Sequence, residues 1–91
     1  MKTIWKFSLK LTNGIQTVSM PVGSKVVHFE MQQGAPAIWA LVDSVSPVEN
    51  RMFEILGTGH EIGFDRHWAG TCQDGVYVWH LFEFGRKALE G

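Results

Sequence analysis

The stretch that decides the fold of this chain is Thr3-Ile4-Trp5-Lys6-Phe7-Ser8-Leu9-Lys10-Leu11. From Trp5 onward one face of the run is apolar, while the other carries lysine and serine. Such alternation is typical of a half-buried β-strand, because successive side chains of a strand point to opposite faces. The dipeptide Asn13-Gly14 and a second alternating run, residues 15–20, follow. Together they predict a β-hairpin with a type I′ turn, in which both turn residues need a positive φ.

The remainder of the chain predicts five further strands, at residues 25–33, 37–43, 51–56, 68–73 and 76–84. Asp74-Gly75 joins the last two and is another type I′ signature. Residues 44–50 predict a loop, and residues 86–91 a short tail, helical or irregular. The sequence therefore predicts one all-β domain over residues 1–91, a seven-stranded antiparallel meander that forms a small sandwich or a partly open barrel.

Composition excludes several classes of protein. The 91 residues are 45% hydrophobic and 19% charged, too apolar for a disordered chain. A net charge of -1 disfavours binding to a nucleic-acid polymer, which usually needs a basic face. A single cysteine excludes an intramolecular disulfide and fits a reducing compartment. Since no signal peptide and no long apolar run is present, we expect a cytoplasmic protein that does not bind membranes.

The sequence also resembles a family of small phage and prophage proteins. The residues that carry the resemblance are Met1-Lys2-Thr3-Ile4-Trp5-Lys6-Phe7, Ile38-Trp39-Ala40-Leu41-Val42-Asp43, Arg51-Met52-Phe53, Gly57-Thr58-Gly59-His60, Gly70-Thr71 and His80-Leu81-Phe82-Glu83. The family is a domain of unknown function without assigned catalytic residues. The resemblance therefore implies a phage or prophage source and a host bacterial cytoplasm, and it transfers no mechanism.

The most suggestive local motif is Gly57-Thr58-Gly59-His60. Two glycines around a threonine can direct successive backbone N–H groups toward one anion, and Thr58 and His60 can add side-chain donors. The alternative is an ordinary tight turn that needs a positive φ at glycine.

Metal and catalytic sites have less support. His60 and His67, with Asp65 and Cys72 nearby, would be chemically adequate for zinc, but their spacing does not require it. Cys72 with His67 or His80 could form a nucleophile–base pair, yet a cysteine within a strand is more typical of a small buried hydrophobe. We therefore expect no metal, no cofactor and no enzymatic activity.

The aromatic content predicts a binding surface. The strands that contain Trp39 and Trp79 are apolar on both faces, more than one small sandwich can bury. One surplus face should meet another subunit of a homo-oligomer or a ligand that stacks on aromatic rings. The hypothesis is an oligomeric anti-defence sponge that sequesters a phosphorylated, nucleotide-derived signal, a cyclic nucleotide or an ADP-ribose derivative. Its predicted site residues are Gly57, Thr58, Gly59, His60, Arg51, Arg66, Trp39 and Trp79. The alternative is a protein–protein adaptor or a minor phage structural protein.

Overall fold

The alternation of apolar and polar side chains produces seven β-strands in the computed structural model, which describes residues 1–85. They are β1 (Lys2–Ser8), β2 (Ile15–Pro21), β3 (Lys25–Gln32), β4 (Ala35–Asp43), β5 (Val48–Gly57), β6 (Arg66–Asp74) and β7 (Tyr77–Phe84). Every pairing is antiparallel. A three-stranded sheet, sheet A, has the order β1-β4-β3, and a four-stranded sheet, sheet B, has the order β2-β5-β7-β6. The all-β, seven-stranded antiparallel sandwich is confirmed, while the tail predicted for residues 86–91 lies outside the described residues.

The prediction of a hairpin between β1 and β2 is wrong. Strand β1 pairs with β4 in sheet A, and β2 pairs with β5 in sheet B, so the chain crosses between sheets at Asn13-Gly14. Gly14 does have the positive φ that the motif favours, 102°. However, Leu9 is buried in the core, and the side-chain amide of Gln16 bonds both backbone groups of Lys10 at 2.8 and 2.7 Å. Long-range pairing with the buried strands β4 and β5 has thus overridden a local turn preference.

Two other hairpins do form, β3–β4 and β6–β7, and they are the only paired strands in the described chain that are consecutive, so the connectivity is not a meander. The β3–β4 turn is Gln33-Gly34, and φ is positive at both residues, 54° and 82°, as a type I′ turn requires. The β6–β7 hairpin was predicted, but its central residues are Gly75 and Val76, because Asp74 pairs with Tyr77. A positive φ at Gly75, 61°, but not at Val76 is the pattern of a type II′ turn.

The core lies between the two sheets. Its buried side chains come from both layers and include Phe29, Ile38, Val42, Phe53 and Leu81. Strand β3 packs closely on β6, since a Cβ added at Gly70 would lie only 2.9 Å from the Cβ of Phe29. A glycine is needed there for close backbone approach.

Strand β4 occupies the middle of sheet A. Strand β5 begins at Val48, so part of the loop predicted at residues 44–50 is strand instead. None of the described residues forms a helix that is long and apolar enough to cross a membrane.

Candidate functional site

A cleft opens at the end of the sandwich where β5 ends and where the β1–β2 connection crosses between the sheets. Its volume is about 330 Å³. The residues that line this space, hereafter the Trp79 cleft, are Leu11, Thr12, Asn13, Ile55, His60 and Trp79. Two of them, His60 and Trp79, belong to the site predicted from the sequence. The other four were missed: Leu11, Thr12 and Asn13 belong to the segment that was interpreted as a hairpin, and Ile55 lies in a strand without a distinguishing motif.

The Gly57–His60 segment forms a turn that its own histidine closes. The backbone N–H of Gly57 donates to Nδ1 of His60 at 3.1 Å, and the backbone N–H of His60 donates to the Gly57 carbonyl at 3.1 Å. Two of the four N–H groups of the predicted anion nest are therefore already bonded. Since Nδ1 accepts, the proton of the neutral imidazole lies on Nε2, which leaves His60 with a donor.

Thr58 is directed away from this turn, to the outer face of sheet B. Its Oγ1 bonds Nε2 of His80 at 2.9 Å, and Nδ1 of His80 bonds Oγ1 of Thr71 at 3.1 Å. The same hydroxyl of Thr71 accepts the indole N–H of Trp68 at 2.9 Å. To serve as the predicted anion donor, the Thr58 hydroxyl would therefore have to exchange its hydrogen bond to His80 for one to the anion.

Trp79 forms one wall of the cleft. It lies on the inner face of β7 opposite Gly57, and its ring stacks on Tyr77 with centroids 5.7 Å apart. A Cβ at Gly57 would lie 3.2 Å from Cε1 of His60 and 3.4 Å from Cζ3 of Trp79, so the glycine gives both rings room. The indole Nε1 of Trp79 is buried and has no hydrogen-bond acceptor among the described residues. Buried donors of this kind are uncommon in folded proteins.

The two predicted arginines do not join the cleft. Arg51 is buried and donates to both carboxylate oxygens of Glu83, at 2.6 and 2.8 Å, and to the Ser24 carbonyl. It lines a separate opening of about 570 Å³ between the starts of β3 and β6. Arg66 bonds Glu54 at 2.7 Å on the outer face of sheet B. Both guanidinium groups are therefore engaged within the chain, and the prediction that one of them meets the Gly57–His60 turn lacks support.

Trp39 also lies elsewhere. It is half-buried on the outer face of sheet A, with Nζ of Lys6 5.8 Å above its ring and the His28 ring at 5.4 Å. Of the predicted site residues, the structure thus brings together the turn from Gly57 to His60 and Trp79, and it separates Arg51, Arg66 and Trp39 from them.

The surroundings of the remaining candidate residues do not favour the nucleophile–base pair or the zinc site considered from the sequence. Burial raises the pKa of the Cys72 thiol, whereas a nucleophilic cysteine requires a lowered one. Cys72 faces the core, and His80 lies on the opposite face of sheet B, so the two cannot form a nucleophile–base pair. Within residues 1–85, no three histidine, cysteine or acidic side chains converge as metal ligands would.

Comparison with known proteins identifies a family and no characterised relative. No curated protein and no solved structure matches this chain. One family model matches residues 1–90, which confirms the expected membership of an uncharacterised family, while a phage origin stays a prediction. With a match over nearly its whole length, the chain belongs to the family described as Domain of unknown function (DUF7352).

Proposed function

We propose that this chain is a non-catalytic binding module that takes up one small, flat, nucleobase-like molecule in the Trp79 cleft. The observation that carries the proposal is the buried indole N–H of Trp79, which has no acceptor among the described residues. Leaving such a donor unpaired costs about 1–3 kcal/mol. If the indole turns its N–H toward the cleft, a ring carbonyl or ring nitrogen of a ligand would accept this hydrogen bond and remove that cost.

The lining of the cleft suits a flat heterocycle. Leu11 and Ile55 are apolar, and the Trp79 ring offers a large surface, so a planar ring could be held by apolar contact. Nε2 of His60 supplies a second donor, and Asn13 supplies an amide that can donate or accept. A volume of about 330 Å³ is at the lower end of the range of small-molecule sites, about 300–1,000 Å³. It favours one ring system with its sugar over a dinucleotide.

Charge limits the class of ligand. His60 is the one ionisable residue among those that line the cleft, and Arg51 and Arg66 are paired elsewhere. Tight phosphate sites usually employ arginine or lysine. We therefore propose that the cleft binds the nucleoside part of the predicted ligand and makes no strong contact with its phosphate. Phage origin and an anti-defence role are hypotheses that depend on identifying this ligand.

The test is calorimetry of the full chain with adenosine, guanosine, cytidine, uridine and their 5′-monophosphates. Trp79→Phe keeps an aromatic ring and removes the N–H, while Trp68→Phe is the matched control, since the Trp68 N–H bonds Thr71 outside the cleft. We expect at least one nucleoside to bind, and Trp79→Phe to weaken it about tenfold, equivalent to about 1.4 kcal/mol, with Trp68→Phe unchanged. Equal affinity in both variants, or no binding at millimolar concentration, would overturn the proposal.

A protein adaptor is the second candidate function. One observation favours it: the loop between β5 and β6 exposes 94% of Phe64 and 51% of Ile62 to solvent. Exposed apolar side chains that lie close together are typical of protein contact sites. An adaptor would gain no stability from nucleosides, so the same titration separates the two candidates.

A further inference from the structure

The outer face of sheet B carries almost no charge. The alternation and register of its four strands direct the following side chains away from the core: Ile15, Thr17, Ser19, Val48, Asn50, Met52, Glu54, Leu56, Arg66, Trp68, Thr71, Gln73, Val78, His80, Phe82 and Phe84. Glu54 and Arg66 are the only Asp, Glu, Lys or Arg residues in this set, and they bond each other at 2.7 Å. The face as a whole therefore presents no unpaired Asp, Glu, Lys or Arg.

The polar side chains of this face are largely bonded to one another. Ser19 donates to Asn50 at 2.7 Å, and Thr71 links Trp68 to His80. Covering a polar group is costly when its hydrogen bonds are lost. Because these groups already have partners within the face, a second surface could cover them without leaving them unsatisfied.

Apolar side chains fill the space between these polar pairs. Trp68 is 65% exposed and Val48 67% exposed, and Met52 is exposed at the centre of the sheet. Large apolar groups on an uncharged face are typical of the core of a protein interface, where charged residues are depleted.

The outer face of sheet A differs in its charge. It presents Lys2, Lys6, Lys25, Glu30 and Asp43. Lys6 extends over the ring of Trp39 and donates to Gln32. Long charged side chains that cover apolar surface and keep their charge in water are typical of a solvated face.

We propose that two copies of this chain associate by packing the outer faces of their B sheets against each other. In a two-fold dimer each patch meets its own copy, so any unpaired charge near the axis would face its equal. The internal pairing of Glu54 with Arg66 avoids that repulsion. A partner of another kind is usually selected by complementary charge, which this face lacks.

The size of the face fits a dimer. Four strands about 4.8 Å apart and about eight residues long cover roughly 500 Å² in projection. The relief of the side chains raises the accessible area toward the standard interface of about 800 Å² per partner. The Trp79 cleft lies at the end of the sandwich and remains open, so this dimer does not depend on the proposed ligand.

Light scattering of the full chain at about 100 µM, far above a micromolar dissociation constant, tests the dimer. Met52→Glu places a charge on the central strand β5, Thr17→Arg places one beside it on β2, and Leu41→Glu is the matched control on the central strand of sheet A. We expect twice the chain mass of 10.3 kDa for the wild type and Leu41→Glu, and 10.3 kDa for Met52→Glu and Thr17→Arg.

Circular dichroism first establishes that each variant is folded. If Met52→Glu is unfolded, the mass of Thr17→Arg alone tests the dimer. A wild-type mass of 10.3 kDa would overturn the proposal. So would a dimer that both sheet B substitutions leave intact, or one that only Leu41→Glu dissociates.

Discussion

Polar groups are buried at two ends of the inner face of sheet B, and described residues form hydrogen bonds to them at only one of these ends. At one end, Arg51 and Glu83 form a bidentate ion pair, and Arg51 also donates to the Ser24 carbonyl. At the other end, about four residues along the same strands, the indole N–H of Trp79 has no acceptor among residues 1–85. A polar group that the chain itself pairs belongs to the architecture, whereas the unpaired indole N–H beside the cleft is the group that we propose a ligand engages.

The largest expected effect comes from the paired end. Arg51→Met leaves the Glu83 carboxylate buried without its guanidinium partner, which should lower the free energy of unfolding by about 3–5 kcal/mol. The double variant Arg51→Met/Glu83→Leu removes both charges and should regain most of that loss. Urea unfolding followed by tryptophan fluorescence measures both variants. A loss below about 1 kcal/mol for Arg51→Met would contradict a structural role for this pair.

A second prediction concerns Gly70 on β6, at a position between the two ends. Gly70 pairs with Leu81, midway between Glu83 and Trp79, and an added methyl group would collide with Phe29. Gly70→Ala should therefore lower the free energy of unfolding by about 1–3 kcal/mol through overpacking.

The matched control for that substitution is Gly63→Ala. A Cβ at Gly63 would approach Arg66 no closer than 3.4 Å, so this variant should be nearly neutral in the same urea titration. Equal stability of the two alanine variants would show that β3 and β6 are not in close contact.

The unpaired end should lose much less stability on substitution than the paired one. Trp79→Phe loses part of a half-buried ring but also removes an unsatisfied donor, so its net loss of stability should stay below about 1.5 kcal/mol. Nucleoside affinity should nevertheless fall about tenfold. Differential scanning calorimetry alongside the binding titration compares the two effects, and a stability loss as large as that of Arg51→Met would remove the distinction between the ends.

The smallest effect is expected at alkaline pH, from the residue opposite Trp79 on β6. Burial raises the pKa of the Cys72 thiol above its ordinary value of 9.0. The unfolded chain therefore loses this proton first, and the stability linked to the thiol is present below about pH 9 and lost as the pH rises through the folded-state pKa. Between pH 8 and 10.5, Tm should fall more steeply in the wild type than in Cys72→Ala, and parallel curves would contradict a buried thiol.

Sequence reasoning predicted the strands well because alternation is a local property of each segment. Strand partners were harder to predict. Asn13-Gly14 carried the strongest turn signal, yet the chain there crosses between sheets, and the type I′ turn occurs at Gln33-Gly34. Which strand pairs with β1 depends on the burial that β4 offers about thirty residues later, and no local motif encodes that choice.

The site was predicted only in part, again because local patterns can be recognised in the sequence and long-range contacts cannot. The turn from Gly57 to His60 is local and was found, and Trp79 was named for its aromatic strand. Arg51 was assigned to a ligand because its partner Glu83 lies 32 residues away and nothing near Arg51 in the sequence indicates the pairing. Nor could the sequence show that the indole of Trp79 would be buried without an acceptor.

The most direct test of the central claim, that the Trp79 N–H is a ligand donor, is the nuclear magnetic resonance signal of that group. Each of the four tryptophans gives one indole N–H signal in a ¹⁵N-labelled chain, and the signal lost in Trp79→Phe identifies Trp79. During titration with the four nucleosides, we predict a saturable shift of the Trp79 signal, while the Trp68 signal, already bonded to Thr71, stays in place. A Trp79 signal that no nucleoside moves, or a larger shift at Trp39 or Trp68, would contradict the account.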